Sequence, residues 1–364
     1  MCPKKIGILT FHCASNYGAV LQTYAMQTVL RNLGHTPEVI DYRPGYVWYA
    51  HRPFRPRSLN DACISGIKLI KARRFDAFRT AHLTMTPKHY DTLDVLRSSP
   101  PACDALLCGS DQIWNPAWGT AGADPAYFLD FGPEKAVRIA YAASFDTPEL
   151  PPGQRDRISA LLRRLDHVSV REDSAVALTQ SLGVLNPVWL PDPSLLLSDY
   201  TQIAAPADIR GRYTFAYLLE DSPLASAACA FTSSHLNARC VTAEVYRPWW
   251  AKGGLEVIHP SPERWLGLIA ESAAVVTNSF HGTAFSILNR KPFVVVAWSG
   301  GHSWADARAR SLLRRLGLEH RFVSDADPAT LQRLLDQPED WEAVHTKLSL
   351  WRSEAHGFLN GALS

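Results

Sequence analysis

KIGILTFHCASNYGAVLQTYAMQTVLRNLGHTPEVIDY, residues 5–42, decides the fold. Its first seven residues, KIGILTF, lack the alternation of a half-buried strand, as expected of one buried on both faces of a parallel sheet. After a polar turn over 12–18, Leu21, Tyr24, Ala25, Thr28, Val29 and Leu33 recur at three and four residues, the period of a helix with one face on that sheet, and Gly34 closes it. Residues 36–42 form a second strand. A β-α-β unit with its right-handed crossover opens an α/β sheet.

The same alternation continues downstream. Strands are expected at 104–110, 138–145, 167–172 and 187–193, with helices over 154–165 and 175–182. A mixed polar connection at 198–212 precedes a second strand series at 214–220, 239–245, 256–258, 273–279 and 292–298. Helices are expected over 222–234 and from Ser261-Pro262, a capping serine followed by proline at the first helical position. Residues 43–58, with three prolines and four arginines, read as an irregular excursion, a lid or a surface loop, followed by an amphipathic helix from 59 to about 78. The expectation is an α/β protein of two Rossmann-like domains facing a central cleft. They occupy 1–190 and 191–340, with a helical tail over 341–364 that packs back across the junction. The carboxyl ends of the strands form the default ligand rim.

Composition excludes several classes. Thirty-seven cations against 35 carboxylates and 46% hydrophobic residues describe a globular protein without a nucleic-acid footprint. Seven cysteines form no CxxC pair, so free thiols and no metal site are expected. The first apolar run ends at His12, and nowhere do 18 uncharged apolar residues follow one another. A cytoplasmic protein is therefore expected. Eleven tryptophans and the pairs Arg73-Arg74, Arg163-Arg164 and Arg314-Arg315 leave peripheral contact with the inner face of a membrane open, as is self-association.

Four polar clusters fall at expected strand ends. In NSFHGTAF, Asn278, Ser279, Gly282 and Thr283 open a short helix whose amides suit an anion, and His281 can bind phosphate or pass a proton; a satisfied interior imidazole is the structural alternative. Arg171 in SVRED offers a fork for a carboxylate or phosphate, or is locked by Glu172 and Asp173, either of which could otherwise serve as a base. In GSDQIWNP, Asp111 is a candidate base, Gln112 and Asn115 are candidate amide contacts, and Trp114 is a candidate stacking face for a sugar; Asp111 as a helix cap is the alternative. Asn16 and Tyr17, in a loop with a single glycine and no phosphate-loop signature, are candidate acceptor contacts. His12, Cys13 and His281 define no dyad or metal site by spacing, and Asp192 in LPDPS reads as fixing the interdomain exit.

Together, SNYGAVLQTYAMQ (15–27), GSDQIWN (109–115), SVRED (169–173), PDPSLLL (191–197) and TNSFHGTAFSI (277–287), in this order, resemble the polysaccharide pyruvyl transferase family. The resemblance covers roughly residues 4–300. It implies a GT-B-like fold and transfer of the enolpyruvyl carbons of phosphoenolpyruvate to hydroxyls of a sugar or lipid-linked glycan. The product is a pyruvate ketal, phosphate is released, and the setting is exopolysaccharide or other cell-envelope polymer assembly. The N-terminal domain would take the acceptor and the C-terminal domain the donor. No cofactor is implied beyond phosphoenolpyruvate as co-substrate.

By similarity, His281 falls at the family's active-site histidine and Arg171 at the arginine of its S-V-R-E/D stretch. Where better-understood members carry an arginine two residues before that histidine, this chain has Ser279, so Arg171, Lys291 or an arginine of 43–58 would supply the charge. Two other classes share these expectations: a GT-B-like glycosyltransferase using a nucleotide sugar, and a glycan-binding protein of the same fold without turnover. Neither the acceptor sugar nor the ketal stereochemistry is encoded in these motifs.

Overall fold

The structure, a computed structural model, describes residues 2–117, 122–243, 255–299 and 303–364. The chain divides into two units: Met1–His51, Arg79–Leu197 and Ser349–Ser364 form unit 1, and Arg52–Phe78 with Ser198–Leu348 form unit 2. The excursion over 43–58, placed by sequence in the N-terminal domain, is thus divided: its residues through His51 belong to unit 1, and those from Arg52 on, with most of the helix that follows, belong to unit 2.

The first half of the chain runs β1 (Lys5–Leu9), α1 (Tyr17–Asn32), β2 (Thr36–Tyr42), α2 (Gly45–Trp48), α3 (Leu59–His82), β3 (Met85–Tyr90), α4 (Leu93–Ser98) and β4 (Ala105–Cys108). It continues with β5 (Val137–Ala143), α5 (Arg155–Leu162), β6 (His167–Val170), α6 (Asp173–Ser181) and β7 (Val188–Trp189). The unit 1 sheet has the order β3-β2-β1-β4-β5-β6-β7, all parallel. Both of its faces are covered. Ile6, Ile8, Ala105, Leu107, Ile139 and Tyr141 share one core with Met26, Val29 and Leu30 of α1. Leu9, Leu106, Cys108 and Ala140, one residue out of phase, share the opposite core with Trp114 and Phe128. That double burial removes alternation from these strands and makes them read as apolar runs. Sequence patterning missed β3 and α4; MTPKHY of β3 has a mostly exposed edge with little apolar signal.

The second half runs β8 (Tyr213–Tyr217), α7 (Pro223–His235), β9 (Arg239–Ala243), β10 (Leu255–Val257), α8 (Pro262–Glu271), β11 (Val275–Thr277) and α9 (Phe280–Leu288). It ends with β12 (Phe293–Val296), α10 (Ser303–Leu316), β13 (Phe322–Val323), α11 (Pro328–Asp336) and α12 (Trp341–Ala362). Its sheet order is β10-β9-β8-β11-β12-β13, again parallel throughout. The expected strand over 239–245 is described to Ala243, and its last two residues lie outside the described residues. Ser261 caps α8 as its Ser-Pro signature requires, accepting from the Arg264 amide.

Helix α12, which fills nearly all of the expected helical tail over 341–364, starts in unit 2 and passes into unit 1 at residue 349. There Ala355, Leu359 and Leu363 join the α1-side core of unit 1. Trp351 is buried, donates its indole N–H to the Trp189 carbonyl at 3.2 Å and meets the Trp189 ring edge-on at 5.4 Å. Trp351→Ala removes a buried aromatic that the neighbours cannot replace, so unfolding in urea is expected to show a loss of about 3–5 kcal/mol.

Candidate functional site

Each sheet reverses its strand order once: between β1 and β4 in unit 1 and between β8 and β11 in unit 2. At such a reversal the connections leave to opposite sides, and the carboxyl ends of the two strands border a crevice where ligands of open α/β sheets bind. The polar clusters after β1, β4 and β11 therefore sit at the two reversals.

In unit 2, side chains bridge the reversal. Thr277 at the end of β11 donates its hydroxyl to the Tyr217 carbonyl of β8 at 2.6 Å and accepts from the Ser279 amide at 3.0 Å. Asn278 accepts the Leu219 amide at 2.7 Å and donates to the Glu220 carbonyl at 2.8 Å, while its own carbonyl accepts the Trp298 indole N–H at 2.8 Å. Glu220, absent from the sequence reading, accepts the Ser299 amide and hydroxyl at 2.8 and 2.7 Å. Asn278 is thereby a structural clamp of this rim.

Ser279 caps α9: its hydroxyl accepts from the Gly282 amide at 3.4 Å, and its carbonyl accepts the Thr283 hydroxyl at 3.0 Å. Ser279 thus completes the helix end. Gly282 is required by close approach, since a Cβ there would lie 2.2 Å from Thr277 Oγ1. His281, in the first turn of the same helix, is 7% exposed and meets the Phe280 ring edge-on at 5.2 Å. Asn278, Ser279, Gly282 and Thr283 build the frame; His281 is the titratable group it carries. Lys291, named as a substitute cation, precedes β12 at the opposite end of the sheet, and its ammonium donates to the Ser272 carbonyl at 3.1 Å. Burial lowers its pKa, with Glu271 opposing.

In unit 1 the bridge is Gln22 of α1, whose amide donates to Thr10 Oγ1 at 2.7 Å and whose carbonyl oxygen accepts the Ser110 amide at 3.1 Å. Thr10 in turn donates to the Ser110 carbonyl at 3.1 Å. Gly109 has φ +112 and no room for a Cβ, which would meet the Tyr141 carbonyl oxygen at 2.1 Å; Asp111 follows with φ 73. This tight turn carries Asp111 to a half-buried position, where its Oδ1 accepts the Gln112 amide at 2.9 Å and lies 3.5 Å from Arg171 Nη2.

The structure brings Arg171 beside Asp111, and the arginine's surroundings differ from the open ligand fork expected of it. Arg171 is fully buried among three carboxylates: Asp192 at 3.0 Å, Asp111 at 3.5 Å and Glu172 at 4.0 Å. Asp192 Oδ1 also accepts the Ser194 amide and hydroxyl, and Glu172 accepts the Ser144 hydroxyl at 2.7 Å. Although burial opposes its charge, the neighbouring Asp111, Asp192 and Glu172 raise the Arg171 pKa. Arg171 thus positions Asp111. Its hub role was hidden in sequence because Asp192 is 21 residues away.

Other candidate contacts land elsewhere. Trp114 is 0% exposed, with its ring stacked on Phe128 at 5.1 Å, tilted against Phe145 at 5.0 Å, and its N–H given to the Tyr127 carbonyl at 2.9 Å. It is a core residue and presents no face to a sugar. Tyr17 is likewise buried, in the first turn of α1, whose cap is Asn16 accepting from the Ala19 amide at 3.2 Å. Gln112 remains half-buried beside Asp111. The preceding loop is held by Arg79, which donates to the His12 and Ala14 carbonyls at 3.1 and 3.3 Å. Burial, opposed by Arg79, pushes the Cys13 thiol up to about 12, so it is protonated at neutral pH and is no nucleophile. His12 is buried, 3.2 Å from Asp41 Oδ1, and Arg43 grips the same carboxylate through two nitrogens at 2.7 and 2.6 Å. Among the described residues, no group of three His, Cys, Asp or Glu side chains is placed to hold a metal ion, and no helix is long and apolar enough to cross a membrane.

Solved structures share this architecture. UDP-GlcNAc 2-epimerase from Neisseria meningitidis bound to UDP-GlcNAc superposes with a TM-score of 0.52 at 11% identity, covering 98% of this chain and 99% of that one. The Methanocaldococcus jannaschii UDP-GlcNAc 2-epimerase in complex with UDP-GlcNAc and UDP gives 0.51 at 10% identity, covering 95% and 99%. Glycosyltransferase SnogD from Streptomyces nogalater gives 0.43 at 14% identity, covering 99% of both. A search of curated proteins found no match. Two Rossmann-like α/β units in one chain define a GT-B-like fold. Within that class the family is specific: the model for polysaccharide pyruvyl transferase matches residues 16–300, and the chain belongs to this family.

Two outcomes follow from the unit 1 geometry. Arg171→Ala leaves buried carboxylates without their cation and is expected to cost about 3–5 kcal/mol in urea unfolding, beyond any kinetic effect. Asp41 is held down at about 2 from 3.8, because hydrogen bonds from His12 and Arg43 outweigh the upward push of burial. A carboxyl with a depressed folded pKa stabilises above its unfolded value and loses that stabilisation as pH falls through the folded one. Stability is thus expected to drop by about 2 kcal/mol between roughly pH 4 and pH 2, and Asp41→Asn should flatten that limb of the stability–pH curve.

Proposed function

We propose that the protein transfers the enolpyruvyl group of phosphoenolpyruvate to two hydroxyls of a sugar or lipid-linked glycan, forming a cyclic ketal and releasing inorganic phosphate. The observation that carries this reading is the family match over residues 16–300, together with His281 in the first turn of α9 at a strand-order reversal.

In the proposed reaction one sugar hydroxyl adds across the enol double bond: its oxygen bonds to C2 and C3 gains a proton, as cationic character develops at C2. The second hydroxyl then bonds to C2, the C–O bond to phosphate breaks, and the second hydroxyl proton leaves with a base or with phosphate. His281 is assigned to the donor, as proton donor to C3 or ligand of the departing phosphate, since imidazole is the side chain that most often serves as a positioned general acid or base. The dipole of α9 favours an anion at that turn by about 0.3–1 kcal/mol. Asp111 is assigned to the acceptor, where its half-buried carboxylate takes or orients a hydroxyl proton and Arg171 fixes its rotamer. Asn278, Ser279, Gly282 and Thr283 are assigned to the frame of the donor site. Gln112 and Asn16 line the acceptor side.

The test is phosphate release from phosphoenolpyruvate, followed with the mass gain of free and lipid-linked glycan acceptors. His281→Ala is expected to lower turnover about 10²–10⁴-fold while the unfolding midpoint stays near that of the parent. Unchanged turnover would remove His281 from the reaction.

A further inference from the structure

The segment Arg52–Phe78 of unit 2 carries a surface that the transferase reading does not use. It holds seven cations against Asp61 and Asp76, a net +5, while the other 30 cations and 33 carboxylates of the chain leave the remainder at −3. Positive charge is thus gathered into one short stretch of a near-neutral protein.

Helix α3 presents that stretch. Ser65, Ala72, Phe75 and Phe78, at spacings of seven and three, are buried on one side. The opposite side should be polar in a surface helix. Instead it carries Leu59, Leu69 and Ile70, exposed at 89%, 39% and 45%, together with exposed Arg73 and Arg74. The chain before the helix adds Phe54, 41% exposed, and the exposed Arg55 and Arg57.

This loop is built against the helix. The Phe54 amide donates to Ser65 Oγ at 3.1 Å and the Ser65 hydroxyl returns to the Phe54 carbonyl at 2.8 Å. Lys68 lies over the Phe54 ring at 5.3 Å, and the Arg57 amide donates to Asp61 Oδ2 at 3.1 Å. Arg52 is committed to Asp76 through two bonds of 2.7 and 2.9 Å, which leaves Arg55, Arg57, Arg73 and Arg74 as the outward cations of the patch.

We propose that this face docks on an anionic phospholipid surface. Leucine, isoleucine and phenylalanine side chains insert at the acyl boundary while the arginines meet lipid phosphates, the combination that holds interfacial amphipathic helices in place. A partner protein would cover the apolar side chains equally well, but four outward arginines among them call for a surface of dense negative charge, which an anionic leaflet supplies. The inference is independent of the donor and the chemistry proposed above.

The test is co-flotation of the full chain with vesicles of phosphatidylglycerol and phosphatidylcholine in equal parts, beside vesicles of phosphatidylcholine alone. Binding is expected on the anionic vesicles only and weakens as salt is raised. Arg55→Gln with Arg57→Gln should lower the partition about 25-fold, at about fivefold per cation. Leu69→Ser with Ile70→Ser should lower it while keeping the salt dependence, and Arg155→Gln with Arg163→Gln, exposed in unit 1, should leave it unchanged. All six sites are exposed, so circular dichroism and thermal midpoints are expected to match the parent. Equal binding to neutral vesicles, no binding to either kind, or an equal loss from the unit 1 pair would overturn the proposal.

Discussion

A parallel sheet that reverses its strand order leaves two strand ends side by side with no connection between them, and their backbone groups must be satisfied by something else. In unit 2, Asn278 and Thr277 do this, tying the end of β11 to Leu219, Glu220 and Tyr217. In unit 1, Gln22 and Thr10 tie the end of β1 to Ser110. Buried polar groups without partners cost on the order of 1–3 kcal/mol each. These bridges therefore fix the rims on which His281 and Asp111 are carried.

The same constraint separates frame from chemistry among neighbouring residues. Three of the four polar side chains over 278–283, those of Asn278, Ser279 and Thr283, spend their hydrogen bonds on the helix end or the strand bridge, and the fourth, His281, is the imidazole carried on the same turn. In unit 1 the buried guanidinium of Arg171 is surrounded by carboxylates, of which Asp111 is the half-exposed member. A buried cation ringed in this way resists removal, because each carboxylate left behind is uncompensated. Ser279 likewise serves the frame, as the cap of α9.

Much of this was legible in the residues. Uninterrupted apolar runs announced parallel strands buried on both faces, and the Ser-Pro pair at 261–262 announced a helix start. The clusters at 110–112, 171–173 and 278–283 were found because polar residues at strand ends break an apolar pattern. Other features were invisible for physical reasons. Trp114 beside polar neighbours looks like a sugar platform, yet its stacking partner Phe128 is fourteen positions on and its role as core depends on tertiary packing. The partner of Arg171 is Asp192, which sequence assigned to the interdomain exit. Residues 52–78 join unit 2 although they lie inside the N-terminal half, since local periodicity reports that a helix has an apolar face and says nothing of which sheet or lipid covers it.

Under the proposed function the first turn of α9 receives an anionic donor. Hydrogen exchange with and without saturating phosphoenolpyruvate tests it most directly. Slowed exchange of the backbone amides over 278–288 is expected, with UDP giving no such protection. Unaltered exchange there under phosphoenolpyruvate, or protection by UDP alone, would contradict it.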